Sequence, residues 1–372
     1  MKERITQELR KYTSAIVFLL LLSPVLCWGQ MRQNLITEID KILYYDVELD
    51  YDKVPGFMIG IIVGDSTFVL SYGSTNRDSA VPPTDHTLYE LGGMTKVFSA
   101  TLVKQLADQE LMHFDSSLNR YLPPAQRNEA CDHITIGSLL THTSGLPKMP
   151  FDFGSRETID NNPYAFYTHD DLLEFYQEYG GTEGFGQYNY SNVGFALLGL
   201  AVEYVTGLSY EKALVQYVLQ PFGLKNTAVQ LDSLKARQLA QGYTAGRKAT
   251  PPWAFQSFAA SEGLKSDVID LLQFLRSNID THHQKLALLH QRRQPTLLTR
   301  NTYIATGWHS IKNKKYYDVI LHPGNTSGYH SFMAFVKETR TGIVILSNSE
   351  HGLNSLGYLI MRMLNNNWKK RK

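Results

Sequence analysis

The stretch Tyr89-Glu90-Leu91-Gly92-Gly93-Met94-Thr95-Lys96-Val97-Phe98 decides how the rest of the chain is read. It has the pattern of a buried helix start, with Gly93 and Lys96 one turn apart. Residues spaced by three meet on one face of a helix, so the Lys96 amine faces whatever stands at position 93. Position 93 carries no side chain. Taken alone, the stretch also fits a lysine that runs its stem along apolar surface and ends in water. The sequence on either side has to separate the two.

Upstream, a helix is expected around residues 35–49. Gly56-Phe57-Met58-Ile59-Gly60-Ile61-Ile62-Val63 and Thr67-Phe68-Val69-Leu70-Ser71-Tyr72 follow as two apolar runs parted by Gly64-Asp65-Ser66, a hairpin signal. Downstream the pattern turns helical over Val97 to Leu111, Ile136 to Leu140, Asp170 to Tyr179, Val193 to Val205 and Tyr210 to Leu219. Strand patterns return at Tyr317 to Leu321, Tyr329 to Val336 and Gly342 to Leu346, and a last helix runs from about Leu353 to Trp368. Strands at both ends with helices between them imply one sheet built from the two ends of an α/β (α+β) domain. The sheet-forming parts are expected at about 30–85 and 255–372, and the inserted helical region at about 86–254.

The chain has 372 residues, 43% of them apolar, enough for a packed core, and a formal charge of +1. That balance offers no field for nucleic acid. No zinc-type spacing, P-loop or dinucleotide fingerprint is present, so neither a metal nor a cofactor is expected. Lys2, Arg4, Arg10 and Lys11 precede the apolar run Ala15 to Leu22, and Gly29 follows, the pattern of an export signal cleaved near Gly29-Gln30. The expectation is a signal peptide over 1–29 and a periplasmic or secreted domain over 30–372. A retained signal anchor is the alternative, and the one route to membrane contact, although the run is shorter than the roughly 20 residues of a spanning helix. Cleavage leaves Cys131 without an internal disulfide partner.

Three further stretches carry chemistry. Tyr190-Ser191-Asn192 stands just before a helix, where a phenol can exchange a proton and an amide can bind a carbonyl. By itself it equally suits a helix N-cap. His322-Pro323-Gly324 closes a strand, and its glycine permits close backbone approach to a ligand. Alone it is an ordinary turn. The long segment Ile134-Thr135-Ile136-Gly137-Ser138-Leu139-Leu140-Thr141-His142-Thr143-Ser144-Gly145-Leu146-Pro147 holds a histidine and a serine close together, yet no Gly-x-Ser-x-Gly elbow occurs, and His142 and Ser144 read as structural.

In this order these elements resemble the β-lactamase-related serine hydrolases, the class C β-lactamases and penicillin-binding-protein-like enzymes. Gly93-Met94-Thr95-Lys96 is similar to their Ser-x-x-Lys with the serine replaced, Tyr190-Ser191-Asn192 to their Tyr-x-Asn, and His322-Pro323-Gly324 to their Lys-Thr-Gly or His-x-Gly. The 134–147 segment and Gly263-Leu264-Lys265-Ser266-Asp267 resemble further family segments. The resemblance implies a five-stranded antiparallel sheet flanked by helices, an all-helical region, and a site at their junction. It implies that Lys96 and Tyr190 move a proton, Asn192 orients substrate, and His322 with the backbone of Gly324 and Asn325 holds carboxylate and oxyanion. Gly93 cannot form an acyl-enzyme. Thr95, Ser99 and Ser191 are the hydroxyls close enough in sequence to be weighed as substitutes. Three readings follow: an exported protein that binds a small-molecule, peptide or cell-wall-derived ligand without covalent turnover; a hydrolase of esters, amides or D-amino-acid peptides using water or a displaced nucleophile; or a serine enzyme whose serine was engineered away.

Overall fold

The structure is a computed structural model that describes residues 29–155, 162–181, 183–291, 293–296, 299–312 and 317–366. The expected signal segment up to residue 28 and the basic end Lys369 to Lys372 lie outside the described residues. Residues up to Leu49 form one compact unit and Asp50 onward another. In the first, residues 29–41 are helical and pass into a π-turn at Ile42–Asp46.

The second unit is built on an antiparallel sheet: β1 (Gly56–Val63), β2 (Ser66–Gly73), β3 (Gln294–Pro295), β4 (Thr302–Ile304), β5 (His309–Lys312), β6 (Asp318–Asn325), β7 (His330–Val336) and β8 (Thr341–Ser347). Their order is β2-β1-β8-β7-β6-β5-β4-β3. The first strand therefore pairs with the last, Phe57 opposite Ser347 through Val63 opposite Thr341, and the two ends of the unit close one sheet. A two-residue loop at Gly64-Asp65, with Gly64 at φ +59°, joins β1 to β2. Five strands, β2-β1-β8-β7-β6, make the sheet the sequence implied, and β5, β4 and β3 extend it. These three are short and lack alternating apolar residues, so no period announces them.

The α-helices of five residues or more are α1 (Thr95–Asp108), α2 (Ile136–Leu140), α3 (His169–Glu178), α4 (Asn192–Thr206), α5 (Tyr210–Leu214), α6 (Val268–Ile279) and α7 (Asn354–Asn365), with single helical turns at Ser233–Ala236 and Ala259–Glu262. α6 and α7 cover opposite faces of the sheet. A side chain at Gly342 would strike Leu275 of α6, whereas Phe332, on the alternate pleat of β7, packs on Tyr358 of α7. β1, β7 and β8 are consequently apolar on both faces.

Between residues 86 and 254 the regular elements are mainly helices, joined by loops and two short ribbons, so the region is not all-helical. Tyr89–Glu90 pairs with Lys265–Ser266, and Gly242–Tyr243 with Ala249–Thr250. The first ribbon fixes the entry to α1. Buried Glu90 ties it to neighbouring loops by accepting hydrogen bonds from the Trp253 N–H at 2.6 Å and the Thr326 hydroxyl at 2.8 Å. Among the described residues no single helix is long and apolar enough to cross a membrane.

Candidate active site

The turn Gly92–Met94 delivers the chain into α1, and β6 runs hard against it. Gly92 has φ +53°, and a Cβ there would stand 2.6 Å from the Asn325 carbonyl oxygen. A Cβ on Gly324 would stand 1.9 Å from the Leu91 carbonyl oxygen. Two glycines thus let two backbones touch. Thr326 donates its N–H to Tyr329, so by antiparallel alternation the Asn325 N–H points away from β7. β5 ends opposite Leu321, leaving that side of β6 to the 92–94 turn. Pro323 lies on the same unladdered side, where its missing N–H costs nothing. The N–H at 93, in the first turn of a helix, has no intrahelical partner. Gly93 and Asn325 therefore supply two backbone donors to one corner of a cleft.

Tyr190 reaches this corner because His142 clamps its segment. The His142 Nδ1 accepts the Ser191 N–H at 3.0 Å, its carbonyl accepts the Asn189 N–H at 2.7 Å, and its ring lies 4.4 Å from the Tyr190 ring. His142 is a positioning residue, in keeping with its reading as structural. The Ser144 hydroxyl lies 3.4 Å from the Leu146 N–H of its own loop. A Cβ at position 93 would find the Tyr190 hydroxyl at 2.9 Å, His322 Cε1 at 3.7 Å and Lys96 Nζ at 3.7 Å. The motifs do converge on the place where a nucleophile would stand.

None of the substitute hydroxyls is free to take that place. Thr95 Oγ1 accepts the Leu264 N–H at 3.1 Å. Ser99 donates to the Ala260 carbonyl at 2.6 Å and lies 2.7 Å from the Tyr210 hydroxyl. Ser191 caps α4 through the Gly194 N–H at 2.9 Å and donates to the Pro147 carbonyl at 2.7 Å.

The electrostatics come from one carboxylate that sequence reading missed. Lys96 is fully buried, and its Nζ donates to Glu262 Oε1 at 2.9 Å and to the Ser261 carbonyl at 3.1 Å. Burial pushes the amine below its ordinary value, and Glu262 pushes it back up. Burial, then the Glu262 charge, holds the Tyr190 phenol well above its ordinary value. At neutral pH Tyr190 is therefore a neutral phenol and not a base. Glu262 directly precedes the Gly263 to Asp267 segment, but a lone glutamate 166 residues from its lysine carries no spacing signal.

His322 differs from the expectation of a carboxylate-holding group. It is 1% exposed, donates Nδ1–H to the Pro323 carbonyl at 2.7 Å, and is kept neutral by burial and by nearby His309 and Lys96. It forms the floor beneath position 93 and offers no cation. Asn192 is buried with Nδ2 3.3 Å from the Tyr164 hydroxyl, and its Oδ1 has no partner. A cleft of about 650 Å³ opens above, walled by Gly93, Tyr190, Asn192, Trp253, Glu262 and Asn325. A larger cavity, about 930 Å³, shares the Trp253 wall and is lined by Lys265 but by none of Gly93, Lys96, Tyr190, Asn192, His322 and Gly324. Among the described residues no cluster of His, Cys, Asp or Glu is placed to hold a metal.

The buried histidines predict an acid response. His309 and His330 are held down at about 4 from an ordinary 6.5, chiefly by burial, and His142, His290 and His322 lie well below it. Between those values the unfolded chain binds more protons than the folded one. These groups therefore contribute stability above pH 6.5 that is lost as pH falls toward 4. Histidine ring resonances followed from pH 8 to 5 should show these five not titrating. A normal titration for His309 or His322 would contradict their burial as neutral rings.

The family description "Beta-lactamase" matches residues 45–365. A Beta-lactamase of Providencia stuartii is 30% identical over 233 residues, which are 62% of this chain and 57% of that protein. A Beta-lactamase of Pseudomonas fluorescens is 25% identical over 355 residues, covering 85% of this chain and 95% of the relative. Protein flp of Staphylococcus aureus is 25% identical over 84% of this chain, which spans 62% of flp. Among solved structures, a class C β-lactamase superposes with a TM-score of 0.77 at 21% identity, over 89% of this chain and 96% of that one. The class C β-lactamase of Rhodobacter sphaeroides gives 0.75 at 21%, over 88% and 99%. These two likenesses establish the fold.

Proposed function

The chain belongs to the Beta-lactamase family, and on that premise we propose that it is an exported protein whose cleft binds a peptide or cell-wall-like acyl ligand without forming a covalent intermediate. One observation carries the reading. The space where the nucleophile of a Ser-x-x-Lys enzyme would stand is bounded by Tyr190, His322 and Lys96, and position 93 contributes only backbone to it. The hydroxyls of Thr95, Ser99 and Ser191 are committed elsewhere. What remains is recognition: two backbone N–H donors for a carbonyl oxygen, the Asn192 amide beside them, and a cleft large enough for a short peptide. The basic-then-apolar N-terminus supports export.

A second reading, hydrolysis by a water in the vacated space, draws support from His322. Its Nδ1–H is committed to Pro323, so the buried and unpartnered Nε2 is an acceptor beside that space. Incubating residues 30–372 with a fluorescent penicillin and a chromogenic ester separates the two. The binding reading expects saturable, reversible fluorescence and no released product. Catalytic product release without any change in protein mass would favour the water mechanism instead.

A further inference from the structure

The Glu262 carboxylate belongs to none of the sequence motifs, yet it lines the cleft beside Gly93, Tyr190 and Asn192. Its side chain is 7% exposed and lies against Lys96, which is fully buried. Both hydrogen-bond partners of Lys96 Nζ, the Glu262 carboxylate and the Ser261 carbonyl, are acceptors. The amine is thus turned toward a negative charge as a donor, and the ion pair neutralises what would otherwise be an isolated buried cation. Two acceptors would satisfy a neutral amine as well, but the Glu262 charge opposes the effect of burial and favours the charged form, and an ammonium cannot take a proton from a neighbouring hydroxyl.

We propose that Glu262 is a second disabling element: a positioning residue that holds Lys96 as an ammonium, so that the site activates a hydroxyl poorly even where one is supplied at position 93. The inference rests on the non-covalent reading of the cleft and deepens it. In the acylation it opposes, a hydroxyl at 93 would lose its proton to Lys96 Nζ as its oxygen bonds the lactam carbonyl carbon. The C–N bond then breaks, and the departing nitrogen takes up the proton. Only a neutral amine can begin that sequence. With the carboxylate replaced by an amide, burial of Lys96 acts unopposed and favours the neutral amine.

The test compares the unaltered protein with Gly93→Ser, Glu262→Gln and the double variant, each incubated with a fluorescent penicillin from pH 6 to 10 and followed by intact mass. Glutamine keeps the shape of Glu262 and an oxygen for Lys96, which limits loss of fold. The double variant should acylate at least about tenfold faster than Gly93→Ser at pH 7, the gain expected from lowering the Lys96 amine by one unit. The pH at which its rate rises should also be lower. As a readout independent of any serine, the Lys96 Nζ resonance should titrate at lower pH in Glu262→Gln than in the unaltered chain. Equal rates and equal pH profiles in the two serine variants would overturn the inference, as would no adduct in either, or an unmoved Lys96 titration. An adduct on the unaltered chain would instead overturn the non-covalent reading and leave the role of Glu262 to be decided by the lysine titration.

Discussion

Gly93→Ser gains a covalent penicillin adduct that the unaltered chain lacks. Removing an activated nucleophile costs on the order of a million-fold in turnover, so even partial restoration is a large signal. The backbone at 93 is not in the left-handed region, and a Cβ there meets the end of the Tyr190 side chain at 2.9 Å. The phenol, the far end of the side chain, has to retreat by about half an ångström to reach ordinary contact. The hydroxyl would then project beside Lys96 Nζ and the two backbone N–H groups. Acylation by Gly93→Ser alone should be slow, because Lys96 stays paired with Glu262. Intact mass after long incubation checks the gain. An unchanged mass would show that Tyr190, Lys96 and the N–H pair are not held in a competent arrangement.

Gly324→Ala removes most of the site at once. Its Cβ would sit 1.9 Å from the Leu91 carbonyl oxygen, 2.6 Å from Ser331 Oγ and 2.9 Å from the Met94 nitrogen, and two of these three are backbone atoms that cannot swing aside. The Leu91 carbonyl is itself an anchor, accepting the Ser331 hydroxyl at 2.7 Å. Relief requires β6 and the 92–94 turn to separate, which also parts the N–H groups of Gly93 and Asn325. The expected loss is about 3 kcal/mol or more, which for a domain of this size lowers Tm by roughly 5 °C. Ligand binding in the cleft should fall with it. Gly154→Ala is the control, since nothing lies within 4 Å of the added carbon. Thermal melts of equal midpoint for the two variants would refute the close crossing.

What the sequence made legible was what its order encodes. Gly93, Lys96, Tyr190, Asn192 and Gly324 each sit in a short pattern fixed by a helix start or a strand end, and the structure gathers all five around one corner. The strand-first, strand-last arrangement was readable because β1, β7 and β8 are apolar on both faces. Burial was not readable. His322 looked like a group that could meet a carboxylate, and only its place under Gly93 shows it to be a neutral floor. Glu262 was silent for a related reason: its meaning comes from Lys96, brought to 2.9 Å by the packing of the Ala259–Glu262 turn against α1. The strands β3 to β5 escaped notice because two to four residues cannot display a period.

The most direct test is the intact mass of the unaltered protein after prolonged exposure to a reactive penicillin at a concentration that saturates its reversible binding. A cleft without a nucleophile predicts an unchanged mass and full recovery of the ligand on dialysis. A mass increase equal to the penicillin, mapped to any residue lining the cleft, would contradict the account.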